Sequence, residues 1–88
     1  MADNPLLEKA AAKKLLAEAA RARAAAYAPY SGFCVGAALL FENGLTVSGC
    51  NVENASYSLS ICAERNAMTT ALTKGLRLPL AVAVAGPE

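Results

Sequence analysis

Near the end of this 88-residue chain stand six apolar residues in a row, Leu80, Ala81, Val82, Ala83, Val84 and Ala85. A strand that alternates apolar and polar residues has one wet face, whereas an unbroken run of this length marks a strand buried on both faces. Such strands lie inside sheets that carry helices on either side, so this feature alone points to an α/β arrangement in layers. It also sets a demand. A doubly buried strand this close to the last residue needs cover for its second face and its outer edge, and further chain or another subunit is expected to supply it.

The preceding sequence provides the other elements. Asn4 followed by Pro5 reads as an N-cap with proline at the first helical position. Good helix formers continue to Ala28, where Pro29 forbids extension, so a helix is expected over residues 5–28. Its apolar stripe is Leu16, Ala20, Ala24 and Tyr27, opposite Lys14, Glu18 and Arg21. Residues 29–32 carry turn chemistry, residues 34–41 are apolar, and residues 45–51 alternate, which predicts a β-hairpin around Glu42-Asn43-Gly44. Asn43-Gly44 suits a two-residue type I′ loop, in which both residues have positive φ; that register sets Cys34 opposite Glu53 and Cys50 opposite Ala37. Residues 56–60 form a polar loop with Ser60 as N-cap of a second helix over residues 61–74, which Gly75 closes. The final strand is expected to return beside an earlier one by a right-handed crossover.

A chain this short is expected to form one small domain or a piece of one, here residues 1–88. With 56% hydrophobic and 17% charged residues it folds rather than staying disordered. A net charge of +1 creates no field that draws in nucleic acid or a membrane surface, and a small-molecule partner is expected instead. No apolar run reaches the ~18 residues of a membrane span. Residues 1–4 lack the basic start of a secretory signal, and a transit-peptide reading of the Ala-, Lys- and Arg-rich residues 9–24 is interrupted by acids, Asp3 and Glu8 before it and Glu18 within. A cytoplasmic location is the expectation. Three cysteines, an odd number without secretory context, argue for free thiols or metal ligation.

The residues that bear chemistry cluster at Cys62-Ala63-Glu64. Cys62 starts the second helix, where backbone amides and the helix dipole favour a thiolate and hence a metal ligand. Glu64, about 200° further round at 3.6 residues per turn, suits proton transfer better than ligation. Alone, a Cys-x-Glu triplet reads more readily as a core cysteine beside a surface glutamate. Its surroundings decide. Tyr30-Ser31-Gly32-Phe33-Cys34-Val35-Gly36-Ala37-Ala38-Leu39, then Gly49-Cys50-Asn51-Val52-Glu53-Asn54-Ala55, then Ile61-Cys62-Ala63-Glu64-Arg65 resemble, in order and spacing, the N-terminal part of the cytidine deaminase family.

The resemblance covers the chain from about Ala26 to Ala85 and implies a three-layer α/β/α sandwich with a mixed sheet, cut off after its third strand. It implies Zn²⁺ as cofactor, with Cys62 as a ligand and Glu64 shuttling protons during hydrolysis of cytidine or deoxycytidine to the uridine form, a step of pyrimidine salvage. It implies Asn51 and Glu53 at the ribose hydroxyls, Phe33 against the pyrimidine ring, and the Ala63 amide at the ring carbonyl. Arg65 would donate to the zinc thiolates, offsetting their charge. Asn66 stands where the family often has threonine. The cysteine-type first ligand resembles the homotetrameric branch, with Tyr57 at an interface or in the core.

The second half of the deaminase signature, Pro-Cys-x-x-Cys, does not occur among these residues. A catalytic zinc takes three protein ligands and keeps a position for water, and Cys62 is one. Cys34 and Cys50 lie on hairpin strands and are expected to be structural. The chain is therefore expected to be inactive alone, as part of a deaminase whose remaining ligands lie elsewhere. A non-catalytic remnant serving as an assembly or regulatory partner is the alternative, and an aminonucleoside antibiotic deaminase is a further one, against which Asn51 and Glu53 favour the plain nucleoside.

Overall fold

A computed structural model describes residues 5–56 and 59–87, with side chains described from Lys9 onward. Five elements follow in order: helix α1 (Pro5–Arg23), strands β1 (Gly36–Phe41) and β2 (Thr46–Cys50), helix α2 (Ala63–Thr73) and strand β3 (Pro79–Ala85). The strands form one sheet in the order β2-β1-β3. Both pairings are antiparallel, so β2 and β3 run parallel to each other on either side of β1 and α2 crosses between them. The sheet expected from the family resemblance is mixed; the three strands here contribute only antiparallel pairs. Asn4 and Tyr57 lie outside the described residues. Among those described, no helix is long and apolar enough to cross a membrane.

The two faces of β1 separate two small cores. Ala38 and Leu40 meet Leu15 and Ala19 of α1, joined by Ala83 and Ala85 of β3. Leu39 and Phe41 meet Ala67 and Ala71 of α2, joined by Val47 of β2. Helix, sheet and helix thus form the three layers. Alanine dominates because the backbones come very close: a Cβ added to Gly36 would lie 1.9 Å from the Ala19 carbonyl oxygen, and one added to Gly49 would lie 2.5 Å from the Ala67 nitrogen.

Helix α1 stops at Arg23, five residues before the expected end. Its last turn tightens into i→i−3 bonds, from Ala24 to Arg21, Ala25 to Ala22 and Ala26 to Arg23. The Tyr27 N–H then bonds the Asn51 carbonyl oxygen at 3.0 Å, and the Tyr27 carbonyl accepts the Glu53 N–H at 2.8 Å. Pairing with the 51–53 backbone overrides the helix propensity of alanine. The buried stripe is Leu15 and Ala19, one position from the expected phase, and Leu16 is 51% exposed. An alanine-rich helix has too little apolar contrast to define its inner face; the groove at Gly36 selects it.

The hairpin forms, with a different register. Gly36 faces Cys50 and Ala37 faces Gly49, so neither expected cysteine pairing occurs. Gly44 has φ of 82°, whereas among the described residues no non-glycine has a positive φ, so Asn43 cannot occupy a type I′ turn. The loop has three residues instead: Gly44 N–H bonds the Phe41 carbonyl and Phe41 N–H bonds the Leu45 carbonyl, each at 2.9 Å. Asn43 Oδ1 accepts the Leu45 N–H at 3.2 Å and fixes the turn.

Helix α2 begins two residues later than expected, because Ile61 is held in a bridge to Val52 and Cys62 becomes the N-cap. Ser60 is not the cap; its hydroxyl accepts the Asn54 N–H at 2.9 Å. Gly75 ends the helix as expected, at φ of 82°. The Leu76 N–H bonds the Ala71 carbonyl at 2.9 Å and the Gly75 N–H bonds the Leu72 carbonyl at 3.0 Å, the paired closure of a Schellman motif.

Strand β3 is covered on one face only. Ala83 is buried against α1, but Leu80, Val82 and Val84 are 64%, 56% and 45% exposed. Val82 stands opposite Leu39 and Val84 opposite Ala37, which places this bare row on the α2 side of the sheet. Helix α2 packs over β2 and β1 and does not extend to β3. Burial of both faces, expected from the apolar run, is not reached within these residues.

Candidate active site

The backbone of Asn51, Val52 and Glu53 organises the site. On one side it pairs with Tyr27 in parallel fashion; on the other, Val52 and Ile61 exchange two N–H···O bonds of 2.8 Å. This short ribbon sets the residues after β2 beside the start of α2. Asn66 reinforces the junction by donating from Nδ2 to the Cys50 carbonyl oxygen at 2.9 Å.

A cavity of about 280 Å³ results, lined by Asn51, Glu53, Cys62, Ala63 and Glu64 among others. Five of the seven residues singled out in the sequence therefore meet in one place. Cys62 is exposed at the N-cap, with extended backbone at ψ of 160°, and no side-chain bond caps the helix. Ala63 is fully buried, and its N–H belongs to the first-turn donors that have no intrahelical acceptor. Glu64 is exposed in the first helical turn. Phe33 is 58% exposed and, like the exposed Arg65, lies outside this cavity's lining; Phe33 is not a core residue. Cys34 and Cys50 are half-buried free thiols outside the same lining.

Asn51 and Glu53 both grip the segment that precedes β1. Asn51 donates from Nδ2 to the Phe33 carbonyl at 2.8 Å and accepts the Val35 N–H at Oδ1 at 2.9 Å. Glu53 accepts the Tyr30 and Ser31 N–H groups at Oε1, at 3.0 and 3.1 Å, and the Ser31 hydroxyl at Oε2. The Ser31 hydroxyl bond, the Ser31 N–H and the Tyr30 N–H together hold the Glu53 carboxyl below the usual carboxylate range, against a smaller opposing effect of burial. A second cavity of about 390 Å³ opens beside it, lined by Tyr30, Ser31, Glu53, Asn54, Ala55 and Ser60. Glu53 borders both. The sequence assigns no role to Ser31 and only a helix cap to Ser60; a serine in a turn is the available signal for a local side-chain bond.

Among the described residues no three His, Cys, Asp or Glu side chains converge as a metal site. The cavity's metal-ligating side chains are one thiol, Cys62, and two carboxylates, Glu53 and Glu64, and they do not converge into the three protein ligands of a catalytic zinc.

A family model described as the cytidine and deoxycytidylate deaminase zinc-binding region matches residues 9–85. A cytidine deaminase of Sporosarcina psychrophila is 53% identical over 72 residues, covering 82% of this chain and 53% of the relative. One from Halalkalibacterium halodurans is 53% identical over 70 residues, covering 80% and 53%. The chain thus spans about half the length of the curated relatives it matches. Among solved structures, the cytidine deaminase of Burkholderia pseudomallei superposes with a TM-score of 0.82 at 51% identity, over 86% of this chain and 61% of that one. The Mycobacterium tuberculosis enzyme gives 0.81 at 44% identity, over 84% and 60%.

Proposed function

Because this chain belongs to the cytidine and deoxycytidylate deaminase family, whose zinc-binding region it carries, we propose that it forms the nucleoside-binding and proton-transferring half of a cytidine deaminase. The observation that carries this reading is the shared cavity of Asn51, Glu53, Cys62, Ala63 and Glu64. When bound, zinc supplies the Lewis acidity for hydrolysing an exocyclic amine. The chain's own contributions are a thiol ligand at Cys62 and a proton carrier at Glu64, which serves the ring nitrogen and the departing amine. The Ala63 amide donates to the ring carbonyl, Phe33 flanks the ring, and Arg65 donates to the thiolates. Asn51 keeps one N–H and Glu53 one acceptor position for sugar hydroxyls after their bonds to the 30–35 segment are counted.

On this reading the 88 residues are a single partial domain, inactive alone, and the complete enzyme is a cytoplasmic homotetramer of pyrimidine salvage. The test supplies the missing ligands in trans: the chain is mixed with a polypeptide corresponding to the remaining half of a relative, including Pro-Cys-x-x-Cys, and cytidine loss is followed with zinc present. Turnover by the mixture but by neither part, abolished by Glu64→Gln, is expected. Turnover by the 88 residues alone, or a folded zinc-loaded mixture without turnover, would refute it. The bare row at Leu80, Val82 and Val84 favours a second reading, in which the same fold associates with another polypeptide without catalysis.

A further inference from the structure

The cavity beside Glu53 is governed by an atom that the family resemblance leaves without a role. The Ser31 hydroxyl donates to Glu53 Oε2 and accepts the Phe33 N–H at 3.0 Å. One oxygen therefore sets both the carboxylate and the backbone that carries the Phe33 ring. A carboxylate offers about four acceptor positions. Two on Oε1 are taken by the Tyr30 and Ser31 N–H groups, and one on Oε2 by the Ser31 hydroxyl. A single position on Oε2 remains, at the boundary of a cavity that Ser31 and Glu53 both line.

We propose that Ser31 is a positioning residue for sugar recognition: its hydroxyl fixes Glu53 so that one acceptor position is presented to one ligand hydroxyl, and it keeps Phe33 in step with that carboxylate. This rests on the nucleoside reading above. An ionised carboxylate only accepts, so the group it selects must be a donor, as a sugar hydroxyl is. Without the Ser31 hydroxyl, Oε2 has two open positions and the Phe33 N–H loses its acceptor. The Ser31 and Tyr30 N–H groups still hold Oε1, so Ser31→Ala removes the link and leaves the loop anchored. Ser31 is exposed, and shortening it opens no cavity in the core.

The test uses the 88-residue chain with ¹³C-labelled glutamate carboxyls, read by NMR in the wild type, Ser31→Ala and Ser31→Thr, each titrated with acid and then with cytidine. In Ser31→Ala the Glu53 titration moves up toward the ordinary carboxylate range and the Phe33 amide resonance shifts; in Ser31→Thr, which keeps a hydroxyl, both stay at the wild-type positions. Cytidine affinity falls about tenfold in Ser31→Ala and changes by less than about threefold in Ser31→Thr. An unchanged Glu53 titration in Ser31→Ala, or Ser31→Thr behaving like Ser31→Ala, overturns the proposal. If Glu53 follows Ser31 as stated but the wild type shows no response to cytidine, the tie between the two residues stands and the nucleoside reading falls.

Discussion

The side chain of Asn51 donates from Nδ2 to the carbonyl oxygen of Phe33 at 2.8 Å, while its Oδ1 accepts the Val35 N–H at 2.9 Å. One amide thus holds the approach to β1 at two points. Replacing it by Ala strands a donor and an acceptor, with a destabilisation of about 1–3 kcal/mol. Asn51→Asp keeps the acceptor but sets an anion against the Phe33 carbonyl, and should fall no higher in stability than the wild type. Urea midpoints at unchanged slope provide the measurement.

Gly36 and Gly49 are required by close approach. An Ala methyl at Gly36 would meet the Ala19 oxygen at 1.9 Å and the Arg23 nitrogen at 2.4 Å, and at Gly49 the Ala67 nitrogen at 2.5 Å. These are backbone atoms of the two helices, so relief needs a whole helix to move. Each Gly→Ala change should cost about 3 kcal/mol or more. At Gly86, where an added Cβ would meet no atom within 4 Å, the same change should stay within about 0.5 kcal/mol. Thermal unfolding of the three variants checks this contrast.

Acid should loosen the 30–35 segment before it unfolds the rest. The Glu53 carboxyl titrates below its ordinary value of 4.5 in the folded chain, chiefly through the Ser31 hydroxyl. A group depressed in this way binds its proton more readily when unfolded. Its stabilising effect is therefore complete above the unfolded value and disappears as pH falls through the folded one. Amide exchange at Tyr30 and Ser31 should accelerate across that acidic window in the wild type, and be fast and nearly pH-insensitive there, after correction for intrinsic rates, in Glu53→Gln.

Zinc retention should be weak. With Cys62 as the single thiol of the site, the isolated chain should keep well below one equivalent after dialysis, and Cys62→Ser should remove what remains. Metal content by atomic absorption decides. Stoichiometric retention would show that these residues complete a centre by themselves.

The uncovered side of β3 should be sticky. Leu80, Val82 and Val84 form an apolar row next to an unpaired strand edge. A hydrophobic dye should bind the isolated chain, and Val82→Lys with Leu80→Lys should reduce its fluorescence by about twofold or more while narrowing the particle size in light scattering.

Which residues gather is easier to read in the sequence than the backbone geometry that gathers them. Cys62, Glu64, Asn51 and Glu53 stand in spaced blocks that single them out together, and the structure brings them to one cavity. The start of α2 was misplaced because Ser60 looked like a cap, whereas a bridge from Ile61 to Val52 decides where the helix begins. The hairpin register turned on the φ of Asn43, which no local preference determines. The phase of α1 lay with Gly36, a residue remote in sequence from the face it selects. The bracing of the 30–35 segment by Asn51 and Glu53 depends on long-range bonds that residue spacing does not encode.

Val52 is bonded to Tyr27 through its neighbours and to Ile61 directly. The chain between Glu53 and Ile61 consequently leaves and rejoins the molecule at almost the same point. A change in its length would alter the wall of the cavity beside Glu53 and leave the thiol next to Ile61 in place. An insertion within residues 51–53 would instead displace Asn51, Glu53 and the bridge to Ile61 together, and with them the start of the helix that carries Cys62.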